Sequence, residues 1–285
     1  MKLVLKRPES FSNERVEIFC KDQPCLDSSW HYHPQYEILY VSKSSGIRFV
    51  GDNVSQFEPG DLVLVGSNLP HLWRNDATYY HKDSTVGVKT IVIKFLKDFL
   101  GTGTFNYPEF ASIKQMLDDS KYGLSFGKKT SKKLHNELME IVELNPLEQN
   151  IKLLSILNRL SQSKDKEVLS TADMRQFASE PSKRLDAVLK FISDNYSDNI
   201  HLQDVADIAC MTTNSFCRFF KKMTNKSFTQ FLNEVRIRNA CRYLLQDELS
   251  VSQVCFMVGY NCITNFYKQF KLIMKCTPND YRNNI

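Results

Sequence analysis

The last hundred residues contain one stretch that occurs twice, and this repeat limits the possible folds more than any other feature of the sequence. The first copy is LQDVADIACMTTNSFCRFFKK (202–222), and the second is VSQVCFMVGYNCITNFYKQFK (251–271). Phe216 returns as Phe266 fifty residues later, while the leading segments match at an offset of 49, so the second copy has one extra residue between its halves. A short helix, a turn of about four residues and a second helix make a helix-turn-helix unit, whose second helix enters a DNA major groove. The repeat therefore predicts two such units in an all-helical C-terminal domain.

The second helix of each copy is predicted to have an aromatic face and a polar face. At about 100° per residue, Phe216 and Phe220 point to one side of the first helix, and Phe266 and Phe270 do so in the second. Arginine and lysine can bind guanine edges, asparagine can pair with adenine, and later lysines suit phosphates. A polar face on one helix could equally be a solvated surface, but two copies in register favour DNA binding. The residues expected to contact DNA are Thr213, Asn214, Cys217, Arg218 and Lys221 in the first copy and Ile263, Thr264, Tyr267, Lys268 and Lys271 in the second.

The charge distribution agrees with this prediction. Residues 1–180 carry 23 basic and 23 acidic residues, whereas residues 181–285 carry 14 and 9. The net charge of +5 therefore lies in the C-terminal part, as expected for a nucleic-acid-binding module behind a neutral domain.

The first hundred residues have the pattern of a β-domain. Short segments rich in β-branched and aromatic residues alternate with turn residues, which is typical of an antiparallel barrel or sandwich. Gly51-Asp52-Asn53 suits a tight hairpin, and Pro59-Gly60 suits the centre of a type II turn. The predicted strands cover residues 37–41, 47–50, 54–57, 62–65 and 86–95.

Beyond residue 95 the apolar pattern takes the period of helices. Helices are predicted over 108–117, 131–144 and 146–160, and the third has an apolar stripe that includes Ile151 and Leu154. This stripe packs on its own domain or forms the seam of a homodimer. The fold class is then α+β with two domains: a barrel with trailing helices over 1–165, a polar linker over 166–180 and the helical domain over 181–285.

Several phrases in the C-terminal part are specific enough to indicate a family. They are LxxVA at 202–206, SFxRFFKK at 215–222, SFTQFLNEVRIRNACRYLL at 227–245, VGY at 258–260, NFYKQFK at 265–271 and TPNDYR at 277–282. Over roughly 183–283, the chain resembles the DNA-binding domain of the AraC/XylS regulators. The resemblance implies two recognition helices in successive major grooves, joined by a long helix at about 228–245. It also implies control of transcription, more often activation, with promoter DNA and RNA polymerase as partners.

Three residues depart from the family pattern but leave the predicted reading faces intact. Cys255 stands where the family usually has a small alanine, and cysteine fits a buried position almost as well. Asn225 and Lys275 replace the glycines that usually end the recognition helices. Asparagine tolerates the left-handed conformation expected there, while lysine is modestly strained in it.

Histidines in the N-terminal part carry a second resemblance. The segments HYHPQYE (31–37) and PGDLVLVGSNLPHLWRN (59–75) resemble the two motifs of the cupin barrel. Residues two apart on a strand point to the same face, so His31 and His33 can converge, and Glu37 has the same parity. Cupin-like domains attached to this kind of DNA-binding domain usually sense effectors, which implies a small organic effector in the barrel. The predicted pocket residues are His31, His33, Glu37, Tyr40, His71 and Trp73.

Four of these residues, His31, His33, Glu37 and His71, also have the donors of a metal site. A metal-dependent cupin enzyme fused to a DNA-binding domain is therefore the alternative function. The sequence has no nucleophile elbow, phosphate-binding glycine loop or zinc-protease motif. We therefore expect a sensor without enzymatic activity and without a resident metal or other cofactor.

The remaining composition indicates the compartment. The eight cysteines include no CxxC pair and lie mostly in predicted helices, so they are expected to be free thiols. The first residues, MKLVLKRPES, lack the apolar core of a signal peptide, and no run reaches the ~18 apolar residues that span a membrane. We expect a cytoplasmic protein without membrane contact.

Overall fold

The computed structural model describes residues 15–26, 29–80, 86–177, 183–245 and 249–283. Within these residues, two antiparallel sheets and three α-helices form the N-terminal part, and seven further α-helices form the C-terminal part. The predicted α+β class with two domains is confirmed. No helix among the described residues has both the length and the apolar character needed to cross a membrane.

The N-terminal strands form two sheets that face each other. The larger sheet has the order β1-β7-β2-β5-β8-β9, and the smaller has the order β4-β3-β6. Leu39 and Val63 of the larger sheet share one hydrophobic cluster with Val50, Phe57 and Trp73 of the smaller one. Among the described residues the two sheets have no strand pairing with each other, so the predicted barrel is not closed there. The strands are β1 Val16–Gln23, β2 Tyr36–Lys43, β3 Gly46–Val50, β4 Asn53–Phe57, β5 Leu62–Val65, β6 His71–Asn75, β7 Val88–Phe95, β8 Leu124–Phe126 and β9 Lys166–Val168.

Both predicted turns are present. Gly51 and Asp52 connect β3 to β4, and Gly51 has a φ of 57°. The Pro59-Gly60 turn is closed by the N–H of Asp61, which donates to the carbonyl of Glu58 at 2.9 Å, and Gly60 has a φ of 95°. A positive φ at the third residue is what a type II turn requires.

Three helices cover the outer face of the larger sheet: α1 Ala111–Asp119, α2 Lys128–Glu140 and α3 Pro146–Ser161. Ile38 and Ile93 of the sheet pack with Met116 and Leu157 of the helices in a second hydrophobic cluster. Asn145 caps α3 by accepting from the N–H groups of the residues that follow Pro146, as expected for a helix with proline at its first position.

The predicted linker needs correction, because much of it belongs to the N-terminal domain. Lys166–Val168 forms β9, the edge strand of the larger sheet, and Met174 is fully buried between the two sheets. A polar sequence is compatible with an edge strand, because one of its sides faces solvent. The part of the predicted linker from 178 to 180 lies outside the described residues.

The C-terminal helices agree closely with the repeat. The turn between α5 and α6 is four residues long and the turn between α8 and α9 is five, which confirms the extra residue of the second unit. Asn225 and Lys275 end the two recognition helices with φ of 57° and 63°, the left-handed conformation expected for both. The helices are α4 Lys183–Asn195, α5 Leu202–Ile208, α6 Thr213–Thr224, α7 Phe228–Leu244, α8 Val251–Met257, α9 Ile263–Met274 and α10 Pro278–Asn283.

The first helix-turn-helix unit shares a hydrophobic cluster with the outer face of the smaller sheet. Ile47, Phe49 and Leu72 of the sheet lie in this cluster with Leu189 and Phe231 of the helices. The rings of Phe49 and Phe231 are stacked with their centroids 5.5 Å apart. The second unit has a separate cluster, formed by residues of α7 to α10 and the segments between them together with Tyr196.

Candidate DNA-binding surface and histidine cluster

Helix α6 presents the predicted polar face to solvent. Asn214, Cys217, Arg218 and Lys221 are exposed, and Thr213 is partly exposed. On the opposite side the rings of Phe216 and Phe220 are fully buried, and both contact Phe228 at the start of α7. The hydroxyl of Thr212 accepts from the N–H of Ser215 and so begins the helix. The aromatic residues therefore fix the helix while its polar face remains accessible.

Helix α9 repeats this arrangement in the second unit. Ile263, Thr264, Lys268 and Lys271 are exposed, while Tyr267 is partly exposed and packs on the cluster of its own unit. Phe266 and Phe270 are fully buried. All ten predicted DNA-contacting residues thus lie on α6 or α9, with Tyr267 the most involved in packing.

The turn before α9 fixes this helix against the first unit. Gly259 has a φ of 87°, and a Cβ at this position would lie 2.7 Å from the carbonyl oxygen of Ser197. The hydroxyl of Tyr260 donates to Asn233 Oδ1 of α7 at 2.9 Å, and the Arg236 guanidinium lies over the Tyr260 ring at 5.6 Å. Close backbone approach and these contacts set the relative position of the two recognition helices.

The four histidine-cluster residues, His31, His33, Glu37 and His71, come together between the two sheets. Each of the four residues offers one atom that could bind a metal, and these four atoms all lie within 4.8 Å of one another. His33 Nε2 is 3.0 Å from Glu37 Oε2, and His71 Nε2 is 3.9 Å from the same oxygen. The backbones of His31 and His71 pair through two hydrogen bonds, of 3.2 and 2.9 Å.

Backbone carbonyls determine the protonation of the three imidazoles. The Nδ1 atoms of His31, His33 and His71 lie 2.8, 3.1 and 2.7 Å from the carbonyl oxygens of Ser29, Gln35 and Leu69. A carbonyl only accepts, so each Nδ1 carries the proton, and in a neutral ring the lone pair is then on Nε2. Burial lowers the pKa of His31 and lowers that of His71 well below its ordinary value, which favours neutral rings. In a metal-binding histidine, the ring nitrogen that does not bind the metal usually donates its proton to a carbonyl or carboxylate oxygen in this way.

The cluster fits a divalent transition metal in two further respects. His71 is buried, and its Nε2 has no hydrogen-bond partner among the described residues, which is costly for a polar atom. Burial by itself raises the pKa of Glu37, but the hydrogen bond with His33 and the nearby positive charge hold it below its ordinary value, so Glu37 is a carboxylate. A carboxylate oxygen of Glu37 and the Nε2 atom of His33 lie only 3.0 Å apart. Because both atoms carry lone pairs, a proton on Nε2 or a bound cation has to lie between them.

A cavity of about 50 Å³ adjoins the cluster. It is lined by His31, Glu37 and His71 of the cluster together with Trp73, Thr90 and Lys94. Pockets for drug-sized ligands have about 300–1,000 Å³, whereas roughly 10–15 Å³ of such space holds one water. The cavity therefore has room for an ion with a few waters and is small for a sugar-sized effector.

One predicted pocket residue, Tyr40, lies elsewhere. Its ring packs in the cluster between the larger sheet and the helices, and its hydroxyl is 2.7 Å from His135 Nδ1 of α2. Tyr40 is three residues from Glu37, so on a strand the two side chains point to opposite faces. The prediction overlooked this parity.

Two further residues of the site, Lys94 and Thr90, lie on β7 and were not predicted from the sequence. Lys94 Nζ lies 3.7 Å from Glu37 Oε2, and Thr90 Oγ1 is buried without a hydrogen-bond partner among the described residues. Their parity along β7 places them on one face, but only the pairing of β7 with β2 brings that face to Glu37.

Comparison with known proteins gives matches for both domains. A model described as a helix-turn-helix domain matches residues 205–284, and a model described as a cupin domain matches residues 19–79. An uncharacterized HTH-type transcriptional regulator of Bacillus subtilis, YdeC, is 20% identical over 261 residues, covering 88% of this chain and 85% of that protein. The HTH-type transcriptional activator RhaR of Mannheimia succiniciproducens is 21% identical over 265 residues, covering 89% and 86%. The crystal structure of ToxT from Vibrio cholerae aligns over 94% of this chain and 97% of that one, at 13% identity and a TM-score of 0.37.

Proposed function

We propose that the chain is a sequence-specific DNA-binding regulator of transcription of the AraC type, in which a cupin domain precedes a helix-turn-helix domain. The observation that carries this proposal is the pair of recognition helices, α6 and α9, whose polar faces are both exposed while their aromatic faces are buried. Two DNA-reading helices require matching cationic faces in a fixed relative position. Two helices that only face solvent do not require them.

Each recognition helix has a defined part in this proposal. We propose that Arg218 and Asn214 read base edges in one major groove and that Thr264 and Lys268 do so in the next. Lys221 and Lys271, one turn further along, would then bind phosphates. The two segments of DNA should lie about 10 bp apart, one helical turn, because the contacts of Gly259 and Tyr260 hold α9 against the first unit.

The proposal extends to location and partners. A regulator acts where promoter DNA is, so we assign the protein to the cytoplasm, and we expect it to activate by contact with RNA polymerase. Leu147 and Ile151 on α3 are 69% and 63% exposed and lie one turn apart, so they offer a surface for a homodimer. We propose that residues 166–177 belong to the N-terminal domain, which changes the domain division predicted from the sequence at that point only.

The N-terminal domain is proposed to be a sensor, and the histidine cluster is its ligand site. Against the metal-free sensor expected from the sequence, we propose that His31, His33, Glu37 and His71 hold a divalent metal, which would supply positive charge and Lewis acidity when bound. The rival function, a metal-dependent enzyme, would need space for a substrate beside the cluster, and a cavity of about 50 Å³ gives little. We therefore propose that the cluster senses and does not catalyse.

Footprinting with the full chain tests the proposed function. A duplex selected from a random pool should show two protected segments about 10 bp apart. Four exposed lysines on or at the ends of α6 and α9 are not assigned to base edges: Lys221, Lys222, Lys271 and Lys275. If all four reach phosphates, affinity should fall about a hundredfold between roughly 50 and 200 mM salt. Affinity that does not change with salt would refute the DNA-binding role.

A further inference from the structure

The smaller sheet lies between the histidine cluster and the DNA-binding domain. Successive side chains along its strands point alternately towards the one and the other. On β6, His71 and Trp73 face the interior, where they line the cavity. Leu72, between them, packs in the cluster of the first helix-turn-helix unit, and the guanidinium of Arg74 pairs with Asp194 of α4. Successive residues of a strand point to opposite faces, so any shift of His71 also moves Leu72 and Arg74.

The segment before β2 makes the same connection more directly. Trp30 is 5% exposed and lies in the cluster of the first unit, and its backbone N–H donates to Asp186 Oδ1 of α4. The next residue, His31, belongs to the histidine cluster and pairs with His71. One peptide bond therefore separates a potential ligand of an ion from a contact with the DNA-binding domain.

A third contact reaches a recognition helix itself. Asn225 ends α6, and its Nδ2 donates at 2.8 Å to Asp52 Oδ2 in the turn between β3 and β4. Asp52 also accepts from the backbone N–H of Thr171 at 2.8 Å. The smaller sheet thus holds α4 at one edge and the end of α6 at its hairpin.

We propose that a divalent transition metal bound by the histidine cluster is the regulatory ligand, and that Trp30 and β6 transmit its binding to the first helix-turn-helix unit. This inference rests on the proposed function and names how that function is controlled. Metal–ligand bonds of about 2.1 Å place neighbouring ligands roughly 3.0 to 3.4 Å apart. His33 and Glu37 already meet this spacing at 3.0 Å, whereas His71 Nε2, at 3.9 Å from Glu37, moves closer by several tenths of an ångström when the two bind as adjacent ligands. That movement draws β6 towards β2. It thereby changes the contacts of Leu72 and Arg74 with the first helix-turn-helix unit, including the ion pair of Arg74 with α4.

The test measures the binding of zinc ion to the full chain and its effect on DNA affinity. Equilibrium dialysis should find about one zinc per chain in the wild type and much less in Glu37→Gln. Hydrogen exchange of peptides covering 183–195 and 224–231 should change on zinc addition without DNA, because the docking contacts of α4 and α6 change. Affinity for a duplex selected from a random pool should change at least fivefold with zinc, and by linkage DNA should change zinc affinity by the same factor.

Three variants of the DNA-binding domain identify the route. Asp186→Ala removes the acceptor for Trp30, so it should bind zinc as tightly as the wild type but lose most of the zinc effect on DNA affinity. Asp186→Asn keeps an acceptor at that position and should retain the effect. Asp207→Ala is the control for charge, because it removes an exposed carboxylate whose partner, Gln203, lies in its own helix, and it should also retain the effect.

The outcomes separate this inference from the proposed function. Absence of zinc binding in a folded wild-type protein overturns the inference, as does zinc binding that changes neither hydrogen exchange nor DNA affinity. Unchanged coupling in Asp186→Ala overturns the route through Trp30. A zinc-dependent change in exchange at 183–195 without any DNA binding supports the coupling and refutes the proposed function.

Discussion

Gly259, in the turn between the two helices of the second unit, should not tolerate alanine, for two separate reasons. Its φ of 87° lies in the left-handed region, where a side chain costs about 1–2 kcal/mol. A Cβ would also lie 2.7 Å from the carbonyl oxygen of Ser197 and 2.8 Å from that of Tyr196. Both atoms are backbone, so no side-chain rotation relieves the overlap. We expect Gly259→Ala to lower the free energy of unfolding by roughly 2–4 kcal/mol, the sum of strain and displaced backbone.

Gly60→Ala is the matched control. Gly60 also has a positive φ, 95°, but a Cβ there would meet Ser131 Oγ only at 3.8 Å, an ordinary contact. This variant should cost only the left-handed strain, about 1–2 kcal/mol. The difference between the two variants therefore measures the overlap with residues 196 and 197.

Urea unfolding of the full chain, followed by circular dichroism, gives both free energies, and footprinting gives the functional result. Displacement of α9 from the first unit should remove one of the two protected DNA segments in Gly259→Ala and leave both in Gly60→Ala. Equal losses of stability in the two variants would refute the overlap. A complete footprint with Gly259→Ala would refute the conclusion that this turn sets the spacing of the recognition helices.

Three further predictions concern single contacts. Arg218→Ala should weaken binding to the selected duplex by about 1–3 kcal/mol in free energy and relax specificity at one or two base positions. Lys221→Ala should weaken binding to all sequences alike and reduce the salt slope by about 1 in binding titrations. The reverse pattern would mean that the two roles are exchanged. Burial raises the pKa of Asp186 to about 6, so its ionisation destabilises the folded protein increasingly as pH rises from about 4 to 6. Asp186→Asn should therefore be more stable than the wild type at about pH 7.5 and equally stable near pH 4 in urea unfolding, and a difference that does not vary with pH would contradict this. Tyr40→Phe removes the hydrogen bond of 2.7 Å with His135 and should lower the free energy of unfolding by about 1 kcal/mol. Zinc uptake in dialysis should not change, and a changed zinc affinity would contradict the position of Tyr40 outside the cavity.

The helical domain was predictable from the sequence nearly residue by residue. Its signals are local: the aromatic period of α6 and α9, a polar side chain at the start of α7, and residues such as Asn225 that tolerate the left-handed conformation where a helix ends. The Pro59-Gly60 turn was predictable for the same reason, since backbone preferences of two adjacent residues decide it.

The N-terminal sheets were predictable only in part. The segments that became β2 to β5 and β7 have clear β patterns, but β1 is half-exposed and carries charges, while β8 and β9 have only three residues each. Such short or polar strands form because a neighbouring strand offers hydrogen bonds, and a neighbour distant in sequence leaves no local signal. The convergence of His31, His33 and Glu37 followed from parity along the chain, whereas the approach of Lys94 needed the pairing of β7 with β2.

The sequence by itself determined the helices, their caps, the exposed faces of α6 and α9 and the residue types of the histidine cluster, because each depends on neighbours within a few positions. Only the tertiary structure decided what covers the outer face of the smaller sheet. Ile47, Phe49 and Leu72 form an apolar face that the sequence does not assign to any partner, and in the structure the first helix-turn-helix unit covers it. The hydrophobic effect is not directional, so an apolar strand face requires burial but does not specify its partner, and the shapes of both surfaces make that choice. That packing places Trp30 and β6 between the histidine cluster and the DNA-binding helices.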